Sequence, residues 1–156
     1  MIDPDTFRSV LGRFVSGVTV VTVSGSEGDA GMTVSSFCSL SLSPPMVLLC
    51  IDHEARMYDA LQSATHFVVN VLEASQEVLA RRFSDQEVDR FDGIGFRPGQ
   101  SGAPILDDVL AWMECRRADA FPGGDHTIFT GIVEIADSRP GEPLVYYRGG
   151  YTQLGK

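Results

Sequence analysis

Cysteine is scarce in this sequence. Cys38, Cys50 and Cys115 are the only three, an odd number at wide spacings with no C-x-x-C. That excludes a disulfide framework and a thiolate zinc site, leaves the thiols as small hydrophobes, and suits the cytoplasm. Basic residues are also few: 12 Lys and Arg stand against 21 Asp and Glu, a net charge of −9. No basic stripe exists to follow a phosphate backbone, so no nucleic-acid partner is expected. Apolar runs fall far short of the ~20 residues of a membrane helix, and the acidic start Met1–Asp5 leads into a helix pattern rather than a secretory core. No membrane association is expected. The common catalytic signatures are missing too. There is no G-x-x-x-x-G-K-[ST], no H-E-x-x-H and no G-x-S-x-G. Gly93, Gly95 and Gly99 miss the dinucleotide-binding spacing and follow no buried strand. His53, His66 and His126 are scattered without metal-ligand spacing, so no metal is expected.

What is present is an ordinary globular composition, 44% hydrophobic over 156 residues. That length implies one domain, residues 1–156, large enough to bury about 70% of its unfolded surface. Asp3 and Pro4 read as a helix start, and Phe7, Val10, Leu11 and Phe14 make one helical stripe. Val18–Val23 is a β-branched strand, turning at Ser24–Asp29 into Ala30–Ser36. Met46–Ile51 is a continuous apolar run, expected to be a strand buried on both faces. His53–Ser63 reads as a helix with Met57, Leu61 and Tyr58 inward. His66–Leu72 is a strand, Ser75–Phe83 a helix, and Asp85–Gly102 a long loop. Val109–Ala120 and His126–Ala136 are partner strands about a turn at Phe121–Asp125, and Pro143–Tyr147 is a last strand. Short strands in hairpins with few helices predict a closed or nearly closed antiparallel barrel.

Two stretches carry candidate chemistry. Thr33, Ser35, Ser36, Ser39, Ser41 and Ser43 fall within eleven positions, with Pro44 and Pro45 marking a bend before the apolar strand. Ser39–Pro45 is expected to break the strands on either side. Hydroxyls and free backbone amides can bind a phosphate without a basic cluster. The same composition also describes a Ser-rich loop that caps its own backbone. Gly124-Asp125-His126 sits at a hairpin tip, where a rigid scaffold presents side chains. It reads either as turn chemistry or as a hydrogen-bonding group beside a ligand.

Taken together, these residues resemble the short-chain flavin reductase family, the flavin-binding split barrels, over nearly the whole chain. Gly12–Thr22 is similar to the family's opening helix and strand, and Gly31–Asp52 to its flavin-binding crossover. His66–Leu72, Asp89-Arg90-Phe91, Gly102–Leu106, Glu114-Cys115, Gly124-Asp125-His126, Gly131-Ile132-Val133 and Tyr147–Tyr151 complete the likeness in order and spacing. The resemblance implies a mainly β fold, a six-stranded antiparallel Greek-key split barrel with added helices, assembled as a homodimer. It implies an NAD(P)H-dependent flavin reductase, in which NADH or NADPH reduces FMN, FAD or riboflavin and reduced flavin passes to a partner monooxygenase. Carried over by position, Met32, Thr33, Val34, Ser35 and Ser36, with the strand end Cys50-Ile51-Asp52, line the flavin site. Arg90 and Phe91 approach the flavin phosphate or adenosine, Tyr151 belongs to the C-terminal part of the cofactor site, and Gly124, Asp125 and His126 face the nicotinamide, the last two as the catalytic pair. Many relatives place Ser or Thr just after the Asp52 strand. Here His53-Glu54-Ala55-Arg56-Met57 follows, so either Arg56 replaces the hydroxyl with a charge-assisted contact or this part of the site differs from the family's. FMN against FAD stays open, as do two other uses of such a barrel: flavin storage or sensing without turnover, and oxidation of a pyridoxamine-phosphate type of substrate.

Overall fold

The computed structural model of the chain describes residues 1–155. The Asp3 carboxylate accepts the Thr6 amide at 2.8 Å and so caps α1 (Pro4–Leu11), with Pro4 in the first turn where its missing N–H costs nothing. The chain continues through β1 (Ser16–Gly17), β2 (Thr19–Gly25), β3 (Gly28–Val34), β4 (Phe37–Leu42) and β5 (Pro45–Asp52). After α2 (Tyr58–Ser63), β6 (His66–Val71) and α3 (Glu77–Arg82) come β7 (Phe96–Pro98) and β8 (Pro104–Leu106). Two long strands, β9 (Ala111–Gly123) and β10 (His126–Ser138), precede β11 (Leu144–Tyr147) and β12 (Gly150–Gln153).

Seven strands form the main sheet, in the order β3-β2-β6-β9-β10-β5-β4, and every pairing is antiparallel. The two outermost strands, β3 and β4, are consecutive in the chain, with only Ser35 and Ser36 between them. Three Cα steps span at most about 11 Å. Six strand spacings in a flat sheet would separate those edges by about 29 Å. The sheet therefore curls until its edges nearly meet, which makes a mainly β split barrel whose split lies between β3 and β4.

The expected six strands become seven because Phe37–Leu42 is itself a strand and not a polar break. An edge strand tolerates Ser39 and Ser41, since their hydroxyls reach water, and Pro45 opens β5, where a missing donor is tolerated. The Met46–Ile51 run is not buried on both faces. Val47, Leu49 and Ile51 are buried while Met46, Leu48 and Cys50 are half-buried, the alternation of a sheet with one core face. The His53–Ser63 helix begins only at Tyr58, although Met57 and Leu61 do reach the core. The Asp85–Gly102 loop contains β7, and the Phe121–Asp125 turn shrinks to Gly124-Asp125 because Gly123 pairs with His126.

The barrel interior is filled by Val21, Leu49, Ile51, Leu61, Phe67, Val69 and Phe129. A second cluster, Val18, Val20, Leu72, Ala80, Phe83, Leu106 and Leu144, fastens α3 to the outside. Glycine permits close approach at two points. A Cβ at Gly131 would lie 2.6 Å from the Phe67 ring, and one at Gly31 would lie 2.9 Å from Phe83. The expected helical stripe is cut short, because α1 ends at Leu11 before Phe14, and it meets no core: Phe7, Val10, Leu11 and Phe14 are all exposed, Phe14 at 79%.

Candidate functional site

The connection across the split is tied down at either end by backbone and hydroxyl contacts that leave a few donors over. Thr33 is tied to α3: its amide donates to Phe83 O at 3.1 Å and its hydroxyl to Ala80 O at 2.6 Å. Ser36 is tied to β5: its hydroxyl donates to Cys50 O at 2.7 Å, and its carbonyl accepts the Cys50 amide at 3.1 Å. Ser35 is exposed, and among the described residues its hydroxyl has no partner. Nor do the Ser35 and Ser36 amides find an acceptor among them. The junction thus offers three unengaged donors at one place. Met32 is half-buried against the core, and the Val34 and Ile51 side chains lie inside it, so at those positions only backbone can meet a ligand.

The Asp125–His126 tip faces the same way. Ser36 stands opposite Cys50 on β5, Asp52 is one two-residue repeat further along, and Asp52 pairs with His126. Residues two apart on a strand and partners across it share a face, so Ser36, Cys50, Asp52 and His126 lie on one side of the sheet. Gly124, at φ +65°, takes the first place of the two-residue turn, where a left-handed backbone suits glycine. His126 Nδ1 lies 2.7 Å from Asp125 Oδ1. That hydrogen bond, reinforced by the imidazole's charge, holds the Asp125 carboxyl below its ordinary range. On the same face the Cys50 thiol is pushed up by burial and by nearby Cys38, so it stays a neutral thiol.

Arg56, Arg90 and Phe91 come together around a hollow of about 90 Å³ beside Gly31. Arg90 is 7% exposed; its Nη1 donates to Gly31 O at 2.8 Å and its Nε to Asp85 O at 3.0 Å. Burial, and then Arg56, push its pKa down. Among the described residues neither arginine has a carboxylate at ion-pair distance, although Asp89 lines the hollow. Phe91 is edge-on to Phe83 at 5.1 Å, part of the packing under α3. Tyr151 lies on that helix as well, beneath the Arg81 guanidinium at 5.1 Å and beside Tyr146, with its phenol pushed up by burial. No hydrogen bond among the described residues joins it to Ser35, Ser36 or the tip.

Sequence reasoning missed Thr127 and Tyr58. The Thr127 hydroxyl lies 3.0 Å from both His53 Nε2 and Tyr58 OH, directly behind His126. Nothing in local spacing joins positions 53, 58 and 127; the β5–β10 register does. Arg82 was missed likewise. It donates to the carbonyls of Asp89, Arg90 and Asp92 and so fixes the loop that presents Arg90. Among the described residues no group of three or more His, Cys, Asp or Glu is placed to hold a metal ion. No helix among them is long and apolar enough to cross a membrane.

A split barrel with a donor-rich junction and a histidine tip on one open face defines a class of small ligand-binding β-barrel proteins. The chain belongs within it to the flavin reductase like domain family, whose model matches residues 11–155. It is 42% identical to "Flavin-dependent monooxygenase, reductase subunit HsaB" of Mycobacterium tuberculosis, over 98% of this chain and 83% of that protein. It is 44% identical to "NADH-dependent FAD reductase" of Streptomyces globisporus, over 96% of this chain and 86% of that one. Among solved structures, Streptomyces globisporus NADH:FAD oxidoreductase SgcE6, in complex with NAD and FAD fragments, superposes with a TM-score of 0.93 at 43% identity, covering 99% of this chain and 96% of that one.

Proposed function

We propose that this protein is an NAD(P)H:flavin oxidoreductase that transfers hydride from NADH or NADPH to FMN or FAD and supplies the reduced flavin to a partner monooxygenase. The observation that carries the reading is the shared face: unengaged donors at Ser35–Ser36 and the Asp125–His126 pair flank β5 from either side, offset by one two-residue repeat along it. The family relationship supports it, since relatives are named as NADH-dependent reductases of FMN and of FAD.

The residues fit a flavin. Neutral donors at Ser35–Ser36 suit a ring edge or a phosphate oxygen, and two arginines without carboxylate partners suit an anionic tail. When bound, the flavin supplies the hydride acceptor. The protein supplies position and field. The Ser35 and Ser36 amides and the Ser35 hydroxyl donate to the ligand, Arg56 and Arg90 set a positive end to the site, and His126 orients the nicotinamide with Asp125 fixing its imidazole. The Arg90 hollow is too small to enclose a flavin, since ligand sites occupy about 300–1,000 Å³. A second surface covers the face. The exposed stripe of α1 and the exposed Leu40 and Leu42 of edge strand β4 support a homodimer as that cover. We take the chain as a single domain over residues 1–156, and place it in the cytoplasm, where its three free cysteines stay reduced.

The test is consumption of NADH and of NADPH with FMN, FAD and riboflavin added in turn. Turnover with at least one pair is expected. Tight flavin binding without nicotinamide oxidation would instead indicate storage or sensing.

A further inference from the structure

The backbone at His126 is paired on both sides, with Gly123 of β9 and Asp52 of β5, but the side chains of the tip have few ties of their own. The Asp125 side chain is 88% exposed, and the imidazole, 40% exposed, has its one side-chain hydrogen bond with Asp125. Gly124, unpaired and at φ +65°, leaves the two-residue turn room to shift about that pairing. His53 reaches it from the end of β5 at two points. Its amide donates to Asp125 O at 3.0 Å, and its ring Nε2 lies 3.0 Å from Thr127 Oγ1. These contacts fall on the residues immediately before and after His126. The anchor is itself anchored. Tyr58 OH shares the Thr127 hydroxyl at 3.0 Å, and its ring lies 5.2 Å from His53 edge-on and 6.0 Å from buried Phe129. Tyr58 opens α2, whose Leu61 is in the core.

We infer that His53 is a positioning residue for His126, bracketing it through Asp125 and Thr127 so that the imidazole meets the nicotinamide in one orientation. This rests on the reading of His126 as the nicotinamide contact. The backbone bond is kept in any variant that retains the residue 53 N–H, so His53→Ala and His53→Gln read the ring contact alone. Thr127 has one hydroxyl proton for two neighbours, and the network therefore works with either His53 tautomer. Gln has an amide that can replace Nε2 in either role, whereas Ala has nothing there.

The experiment compares His53→Ala, His53→Gln, Thr127→Val, His126→Ala and the double variant His53→Ala/His126→Ala. One readout needs no flavin: NMR backbone order parameters of the flavin-free protein at residues 124–127. They are expected to fall from about 0.85 toward 0.6 in His53→Ala and Thr127→Val, and to recover in His53→Gln. The second readout is steady-state kinetics. KM for the nicotinamide should rise about fivefold in His53→Ala with kcat within about twofold, while flavin affinity is unchanged. In the double variant, loss of His53 should add nothing to loss of His126, because both changes act through one contact. Normal order parameters and normal KM in His53→Ala, beside an impaired His126→Ala, would overturn the inference and leave the role of His126 standing. Additive losses would overturn it too, since His53 would then act on its own. A His126→Ala protein with wild-type kinetics would overturn the role of His126 and the inference with it.

Discussion

Ser35 and Ser36 sit side by side, yet their hydroxyls do different work. Ser36 Oγ ties the β3–β4 connection to β5 by donating to Cys50 O, while Ser35 Oγ is unengaged among the described residues. Ser35→Ala should therefore weaken flavin binding by about 0.5–1.5 kcal/mol and leave the melting temperature alone. Ser36→Ala should lower stability by a similar ~0.5–1.5 kcal/mol, since it removes a bond of the fold. Flavin titration beside thermal melting separates the two, and a Ser35→Ala protein with wild-type affinity would take the hydroxyl out of the site. His126 is exposed enough to meet a ligand and is held by Asp125 alone through its side chain. His126→Ala should keep flavin affinity within about twofold, while kcat/KM for the nicotinamide falls at least tenfold, about 1.4 kcal/mol. Lost flavin affinity with normal reduction of what stays bound would move His126 into the flavin site.

Between elements, two polar groups hold loops to the barrel, and each makes a prediction. Arg90 joins the loop after α3 to the outer edge of β3 through Gly31 O and Asp85 O. Arg90→Ala should cost about 2–3 kcal/mol in denaturant unfolding, and Arg90→Lys should recover little, because a single ammonium cannot reproduce the fork. A loss of flavin affinity without loss of stability would make the contact with the ligand the dominant one. Glu114, 2% exposed on β9, gathers the amides of Gln100 and Ser101 and the Ser101 hydroxyl. Burial raises its pKa, but those donors, with His66 nearby, outweigh burial and hold it below the ordinary 4.5. A depressed carboxyl stabilises the fold fully above its unfolded value and loses that contribution as pH falls through the folded one. The stability gap between wild type and Glu114→Gln should thus be constant near neutrality and shrink below about pH 4.5, as read by urea midpoints; a gap independent of pH would mean that the carboxylate charge is not what holds the loop. Elements of this kind also mark where the sequence was legible. The β-branched runs of β2 and β6, the Asp3 cap and the Gly124 turn are local signals, and local chemistry placed them. Strand β4 escaped because its serines look like loop, and an edge strand is where such residues persist. The face shared by Ser36 and His126, and the His53–Thr127–Tyr58 contacts, follow from sheet register, which pairs residues far apart in the chain and leaves no local pattern.

At the scale of the whole molecule the barrel is complete but its working face is open. Phe7, Val10 and Leu11 of α1 and Phe14 after it are exposed, and so is Leu42 of edge strand β4, at 90%. Light scattering at micromolar concentration should give twice the 16.9 kDa chain mass, and replacing Phe14 with Asp should shift the population toward monomer. A single 16.9 kDa species would leave the open face uncovered and count against the dimer. On the proposed reading, one sheet face holds flavin at the Ser35–Ser36 junction and presents nicotinamide to it at His126. Anaerobic stopped-flow mixing of the flavin-loaded protein with NADH tests this most directly, with wild type and His126→Ala run side by side. Prompt loss of the oxidised flavin's visible absorbance is expected in the wild type and, at subsaturating NADH, at least about tenfold slower loss in the variant. Flavin that stays oxidised in the wild type with both NADH and NADPH, or equal rates in the two proteins, would contradict it.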